Sequence, residues 1–410
     1  MSALARYFLS CGLQVNGSDD CNSEIIFDLK KLGADINLDI HSKNIKKDTN
    51  LVIYTAAVVA DHPELKRARK LGIETKSYAE ALGDLTKKYW TIAISGSHGK
   101  STTTALVSLI LVKAGFDPTV IIGTKLQEFN NSNFRLGKSR YLVIEADEWN
   151  KSFLNYWPQV VILTNIDKEH LDTYGSQAGV VKNFKKYLNH IPKNGYLVAN
   201  WQDKNSKKAA KNVKCQVVFY NKHKISRHKL NIFGEHNQLN AEAAWQGVKI
   251  LGVKKDTVSK ALRNYKGAWR RLEKLRSNVY SDYAHHPTEI KATLAALRQK
   301  YSKQKIICVF QPHQADRLTR LFSDFKNAFV GADKVILVPV YKPKGRELLT
   351  NEKTSLDLYK AIKNRYDASY CSSFEEIKKY LRVLTQKNIF VFMSAGDLDS
   401  WLRQNILDFE

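Results

Sequence analysis

Paired cysteines are missing from this chain. Its five cysteines, Cys11, Cys21, Cys215, Cys308 and Cys371, are scattered with no CxxC spacing, which argues against a zinc site or a disulfide frame and suits free thiols in a reducing compartment. Long apolar runs are also missing. No stretch approaches the roughly 20 residues of a membrane span, and the first residues lack a basic patch followed by a long apolar run; a cytoplasmic address is the expectation. Acidic residues are the minority, 40 against 65 lysines and arginines, giving a formal charge of +25. Such an excess permits nucleic acid or anionic surfaces as partners. The lysines fall in patches such as Lys207 to Lys214 and Lys222 to Lys229 without an aromatic-interleaved binding motif. A solvated surface that attracts small polyanionic substrates is therefore expected, with no nucleic acid bound and no membrane insertion. Internal repeats and low-complexity tracts are absent too.

What is present is a phosphate-binding pattern. Residues Trp90 to Ser95 read as a buried strand and Ser101 to Ala114 carry apolar residues at helical spacing; between them runs Gly96-Ser97-His98-Gly99-Lys100-Ser101-Thr102. Ile94 stands where the strict G-x-x-x-x-G-K-[ST] pattern has its first glycine, so the match is to the shorter G-x-x-G-K-S core. In such a loop, backbone N–H groups at a helix N-terminus cradle phosphates, the lysine neutralises the outer ones and the Ser/Thr hydroxyl holds Mg²⁺. Nucleotide chemistry follows.

The 410 residues, 43% of them apolar, suit two or three globular domains with ample core. Three consecutive α/β domains are expected: residues 1–87, 88–276 and 277–410. In the first, the pattern predicts helices from Ala3 to Cys11 and from Pro63 toward Lys70, with a strand at Leu51 to Tyr54. The second should carry strands at Tyr141 to Glu145 and Gln159 to Thr164 and a helix near Asn237 to Leu251. The third alternates strands (Ile306 to Phe310, Lys334 to Val340, Ile389 to Met393) with helices (His286 to Tyr301, Leu318 to Phe329, Phe374 to Leu384), the βαβ rhythm of a parallel sheet.

Several runs bring polar groups to strand ends, where open α/β sheets bind ligands. Carboxylates in Glu145-Ala146-Asp147-Glu148 offer the oxygen donors that hard Mg²⁺ prefers. The run Thr164-Asn165-Ile166-Asp167-Lys168-Glu169-His170 brings a histidine to the same edge. Gly234-Glu235-His236-Asn237-Gln238-Leu239-Asn240 opens a helix, and Arg270-Arg271 with Ser281-Asp282-Tyr283-Ala284-His285-His286 bracket the start of the third domain.

Taken in order, GSHGKSTTT, EADE, TNIDKEHLDTY, GEHNQLNAEAA, RRLE, SDYAHHPTEIKATL, FQPH and MSAGD span essentially the whole chain. Together they resemble the Mur ligase family of ATP-dependent peptide-bond-forming enzymes, most closely the branch that joins L-alanine to UDP-N-acetylmuramate. The resemblance implies a Rossmann-like first domain, a P-loop ATPase-like centre and a Rossmann-like C-terminal domain, acting as a monomer or homodimer. Gly96, Ser97, His98, Gly99, Lys100, Ser101 and Thr102 would hold ATP phosphates. Ser101, Glu145 and His170 would hold Mg²⁺, while His236, Asn237 and Asn240 would lie near adenine. Arg271 and Asp282 would meet ATP from the domain joint. Tyr283, His285, His313 and Arg317 would face the amino acid and the acyl group, and Ser18, Asp19, Thr55 and the stretch Lys125 to Arg135 would meet the UDP-sugar. Lys100, Glu145, His170, His285 and Arg317 are the implied catalytic set.

Three departures accompany the resemblance. Glu148-Trp149-Asn150-Lys151-Ser152-Phe153 replaces the expected Glu-Ser-Asp-Ala-Ser-Phe. Gln314 stands where the family has an arginine after Pro312-His313, which removes a cation from the amino-acid carboxylate site. The N-terminal glycine-rich loop is absent, so Met1 is expected to be an internal methionine of a fuller protein. The implied chemistry is transfer of the γ-phosphoryl group to a carboxylate, then attack by an amine on the acyl phosphate, with the C-terminal domain closing over ATP. A same-family ligase for another acceptor, such as murein tripeptide, and a nucleic-acid-dependent P-loop ATPase are the competing readings.

Overall fold

The computed structural model describes residues 1–221, 230–343, 351–382 and 387–406. The lysine patch from Lys222 to Lys229 and the expected helix end at Leu384 lie outside these residues. Strands, in chain order, are β1 (Asn16–Ser18), β2 (Asp35–Asn37), β3 (Leu51–Tyr54), β4 (Glu74–Ser77), β5 (Trp90–Ser95), β6 (Thr119–Leu126), β7 (Ser132–Arg135), β8 (Tyr141–Ala146), β9 (Val160–Leu163), β10 (Tyr196–Asn200) and β11 (Gln216–Tyr220). They continue as β12 (Glu273–Lys274), β13 (Val279–Asp282), β14 (Ile306–Phe310), β15 (Lys334–Leu337), β16 (Ala368–Tyr370) and β17 (Ile389–Met393).

Two compact units hold these strands, Met1–His228 with Asn240–Arg263, and Lys229–Leu239 with Asn264–Glu410. In the first unit a seven-stranded sheet has the order β11-β10-β9-β5-β8-β6-β7. All its pairings are parallel except β6 with β7. Ile92, Ala93 and Ile94 are fully buried, as the middle of a sheet covered on both faces requires. The chain leaves β5 for strands on one side and returns for β9 on the other. The carboxyl end of β5 is therefore the switch point at which open α/β sheets bind ligands.

Residues 1–88, the domain that the resemblance implies to be Rossmann-like, carry two two-stranded parallel sheets, β1-β2 and β3-β4. Helix Ser2–Ser10 buries Ala3 and Leu4 in a core shared with Phe134 and Leu142. Full burial of one leucine contributes about 1.5–3 kcal/mol, and the Asn133 amide donates to Ser2 Oγ at 3.0 Å beside it. Helix Tyr78–Lys88 starts with a capping box between Ser77 and Glu80, which satisfies two end donors at once.

The second unit carries a six-stranded sheet, β12-β13-β17-β14-β15-β16, parallel except for β12 with β13. Two expectations need correction here. Strand β15 stops at Leu337 rather than Val340, because Pro339 has no N–H to continue the ladder. The single helix expected from Leu318 to Phe329 is two short ones, Ala315–Arg320 and Phe322–Phe325. Leu321 leaves the helical region at the break (φ −106°, ψ 19°), and both Leu321 and Phe325 are buried.

Candidate functional site

The loop after β5 opens helix Lys100–Lys113 through two glycines at positive φ, Gly96 (+134°) and Gly99 (+80°). Neighbouring turns brace it tightly. Thr164 Oγ1 and Asn165 Nδ2 donate to His98 O at 2.6 and 3.1 Å, and His98 N donates to Asn165 Oδ1 at 3.0 Å. Asp167 N donates to Ser97 Oγ at 2.8 Å, and the His98 ring nitrogen lies 3.0 Å from Asp167 Oδ2. A Cβ on Gly96 would stand 2.1 Å from Thr164 Oγ1. Gly96→Ala is accordingly expected to cost roughly 2 kcal/mol or more of stability and to weaken ATP binding; thermal melts and nucleotide titration of the variant check both. Asn240 packs on the same loop, its Oδ1 lying 2.5 Å from where a Gly99 Cβ would be.

Lys100 is the centre of the charge arrangement. Its ammonium donates to Gly96 O at 2.8 Å and to Glu148 at 2.7 Å, with Asp147 at 3.6 Å. The side chain is 13% exposed and that of Glu148 is fully buried. Burial by itself would lower the lysine's proton affinity, but the charges of Glu148 and Asp147 outweigh it and hold the ammonium above its ordinary range. Burial also pushes the Glu148 carboxyl up to about 8, against the opposing attraction of Lys100.

Of the residues expected to hold Mg²⁺, Ser101 and Glu145 do meet. Ser101 Oγ donates to Glu145 at 2.9 Å, and Gly123 N donates to the other carboxylate oxygen at 2.8 Å. His170 groups instead with Asp147 and Glu148, their ligand atoms lying within 4.8 Å of one another. His170 is no solvated loop residue; it is 15% exposed, at φ +53°, with Nε2 3.8 Å from Glu148 Oε1. Glu148 Oε1 is buried and accepts no hydrogen bond among the described residues. A buried carboxylate oxygen with spare capacity, grouped with the Asp147 carboxylate and the His170 ring, fits a divalent cation. Glu148 belongs to the EADE run whose carboxylates the sequence offers for Mg²⁺, but it lies outside the set of Ser101, Glu145 and His170 that the resemblance implies. Thr102 is also buried, while Thr104 turns back onto Lys100 O within its own helix.

The expected sugar contacts near the N-terminus have hydrogen-bond partners within residues 1–88. Ser18 Oγ donates to the buried Glu64 at 2.6 Å, which also receives the Asn44 amide at 2.8 Å. Asp19 accepts from Cys21 N and Thr55 from Ala57 N, both short-range turn contacts.

In the second unit, β13, β14 and β17 end together. Gln311 Oε1 receives Ser394 Oγ at 2.7 Å and Leu398 N at 3.2 Å, so the FQPH and MSAGD runs form one polar knot. Asp282, at the end of β13, accepts from Leu272 N (2.6 Å) and Ala284 N (2.8 Å). Burial pushes its carboxyl up to about 6, with Arg271 pulling the other way. Arg270, which the sequence offers with Arg271 as a cation for phosphate, is buried, donates to Ser394 O and lies over the Tyr283 ring; Arg271 flanks the same ring at 5.0 Å. His285 bonds Tyr283 O at 2.8 Å, and its ring lies 5.8 Å from His313. Arg317 donates to His313 O at 3.0 Å, and His313 stacks on Tyr341. The expected acceptor residues Tyr283, His285, His313 and Arg317 thus form one cluster.

Gln314 sits beside them at φ +70° and is 8% exposed, its N–H spent on Tyr341 O. His236 is held neutral, because burial drives its pKa down to about 4 despite the pull of Glu289. Asn237 Nδ2 donates to Phe233 O at 2.8 Å. Gly234, at φ +103°, lets the chain turn against His236 and Ala296.

Three family models match the chain in order: the Mur ligase family catalytic domain at residues 1–90, the Mur ligase middle domain at 94–238, and the Mur ligase glutamate ligase domain at 270–396. The chain belongs to the Mur ligase family. As a Mur ligase it is an ATP-dependent enzyme that forms a C–N bond. It is 39% identical to the UDP-N-acetylmuramate--L-alanine ligase of Clostridium acetobutylicum, over 97% of this chain and 93% of that one. Among solved Mur ligases, the UDP-N-acetylmuramate-alanine ligase of Thermotoga maritima is 27% identical, with a TM-score of 0.82 over 100% of this chain and 96% of that one. A murein peptide ligase of Psychrobacter arcticus shares the fold at 21% identity, with a TM-score of 0.71 and the same coverage. No helix among the described residues is long and apolar enough to cross a membrane.

Proposed function

We propose that this chain joins L-alanine to UDP-N-acetylmuramate in the cytoplasm, in peptidoglycan precursor synthesis, using ATP and Mg²⁺. Its near-full-length likeness to the Clostridium acetobutylicum ligase carries this reading. Residues 1–87 would take the UDP-sugar, 88–276 ATP, and 277–410 the amino acid.

A carboxylate resists attack by an amine because its charge repels the nucleophile and oxide is a hopeless leaving group. The lactyl carboxylate therefore first takes the γ-phosphoryl group, releasing ADP and leaving an acyl phosphate. The amine of alanine then adds to the carbonyl, loses a proton, and expels inorganic phosphate as the amide forms. Lys100, fixed by Glu148 and two loop carbonyls, would stabilise charge on the transferring phosphoryl oxygens. Ser101, Glu145, Glu148 and His170 would hold Mg²⁺, which supplies further neutralisation of phosphate charge. The neutral ring of His236 suits a nucleobase better than a phosphate. Arg317 is the cation for the amino-acid carboxylate, with His285 and His313 beside it.

Phosphate release with UDP-N-acetylmuramate and a panel of acceptors tests the assignment: L-alanine should give the highest kcat/KM, and preference for a tripeptide would overturn it. Gln314→Arg should add a cation to the acceptor cluster and lower the apparent KM for L-alanine. Unchanged KM values for L-alanine, L-serine and glycine would place residue 314 outside the pocket.

A further inference from the structure

Strand β11 closes one edge of the seven-stranded sheet, three strands away from β5 and its phosphate loop. Edges of this kind are ordinarily blunted with charge. Here Val217 and Phe219 are 37% and 38% exposed, and Trp201, which follows β10, is 48% exposed. The two rings meet edge to face with centroids 5.0 Å apart. The Trp201 backbone N–H donates to Tyr220 O at 2.8 Å, which fixes the indole at the end of the edge strand.

Lysines follow Trp201 in the chain, and one of them meets its ring. Helix Lys204–Ala210 starts just beyond Trp201 and places the Lys207 ammonium 4.6 Å from the indole ring centroid. Lys204, Lys208, Lys211 and Lys214 are exposed. Asp203 is the only acidic residue between positions 201 and 221. Its carboxylate is consumed as the helix cap, accepting from Ser206 N at 2.7 Å and Ile166 N at 3.0 Å. The sequence shows lysines with no aromatic pattern among them, and the fold brings Trp201 and Phe219 together beside them.

We propose that this face docks on an anionic lipid surface, with Trp201, Phe219 and Val217 entering the headgroup layer and the lysines meeting lipid phosphates. An amphipathic tryptophan at the rim of an apolar patch, flanked by cations, is the composition of interfacial anchors. Single-stranded nucleic acid suits the face less well. Base stacking needs open ring faces, whereas Lys207 covers the Trp201 ring and Phe219 crowds it from the side. Val217 offers nothing to a nucleotide and gains from the acyl boundary.

Co-sedimentation of the full chain with phosphatidylcholine vesicles, with and without phosphatidylglycerol, tests the proposal. Binding is expected only with phosphatidylglycerol, and to weaken as salt rises. Each lysine near such a surface changes affinity about fivefold, so the triple variant Lys204→Glu, Lys208→Glu, Lys211→Glu should lose on the order of 100-fold. Trp201→Ala with Phe219→Ala should lose about tenfold. Both variants should keep the parent's melting behaviour and its ligation in vesicle-free solution. Equal binding to both vesicle types, binding to neither, or full binding by the aromatic variant would overturn the proposal. So would displacement from vesicles by a single-stranded oligonucleotide that binds more tightly through the same residues.

Discussion

Lys100→Ala is expected to lower ligase turnover by roughly 10³-fold or more, the scale on which a cation clamping a transferring phosphoryl group acts. The geometry gives the reason. Lys100 is already held by Gly96 O and Glu148, so its charge is in place before substrate arrives and no reorganisation is needed in the transition state. The substitution also has a structural cost. Removing one partner of a buried ion pair typically costs about 3–5 kcal/mol when the other stays charged. Glu148 limits that loss, because burial already favours its protonated form. Thermal melts separate the two effects, and Lys100→Met combined with Glu148→Gln gives a charge-free pair of similar volume in which stability recovers and turnover does not. Near-parental turnover in Lys100→Ala would remove the lysine from the reaction.

Glu148→Gln is the second large effect. The amide keeps the shape of a fully buried side chain but exchanges an anionic oxygen donor for a neutral, weaker one facing a hard divalent cation. The Mg²⁺ concentration for half-maximal activity should rise on the order of tenfold or more, with turnover falling alongside. His170→Ala and Glu145→Gln should move the titration in the same direction by less, since each leaves Glu148 in place. Superimposable Mg²⁺ titrations for parent and Glu148→Gln would reduce the carboxylate to a structural partner of Lys100.

The central α/β region was legible because its signals are local. A continuous apolar strand, a glycine-lysine turn and a helical period place Trp90–Ser95 and Lys100–Lys113 within a residue of where the pattern puts them. The rest of the site depends on long-range packing. Glu148 stands three residues from Glu145 in a run of acids, and only the turn after β8 decides which of them is buried against Lys100. Ser18 donates its hydroxyl hydrogen to Glu64, 46 positions away, a partner that no local pattern announces. The break at Leu321 has no proline or glycine to announce it. Trp201 and Phe219 likewise become neighbours only through the pairing of β10 with β11.

Activation of the substrate carboxylate by ATP is tested most directly by isotope transfer. UDP-N-acetylmuramate labelled with ¹⁸O in its lactyl carboxylate is incubated with the enzyme, ATP, Mg²⁺ and L-alanine, and the released phosphate is analysed by mass. The expected result is one ¹⁸O atom in each phosphate, together with a product heavier by one alanyl residue. Unlabelled phosphate accompanying that product, or phosphate release with no alanyl product, would contradict an acyl-phosphate route in this enzyme.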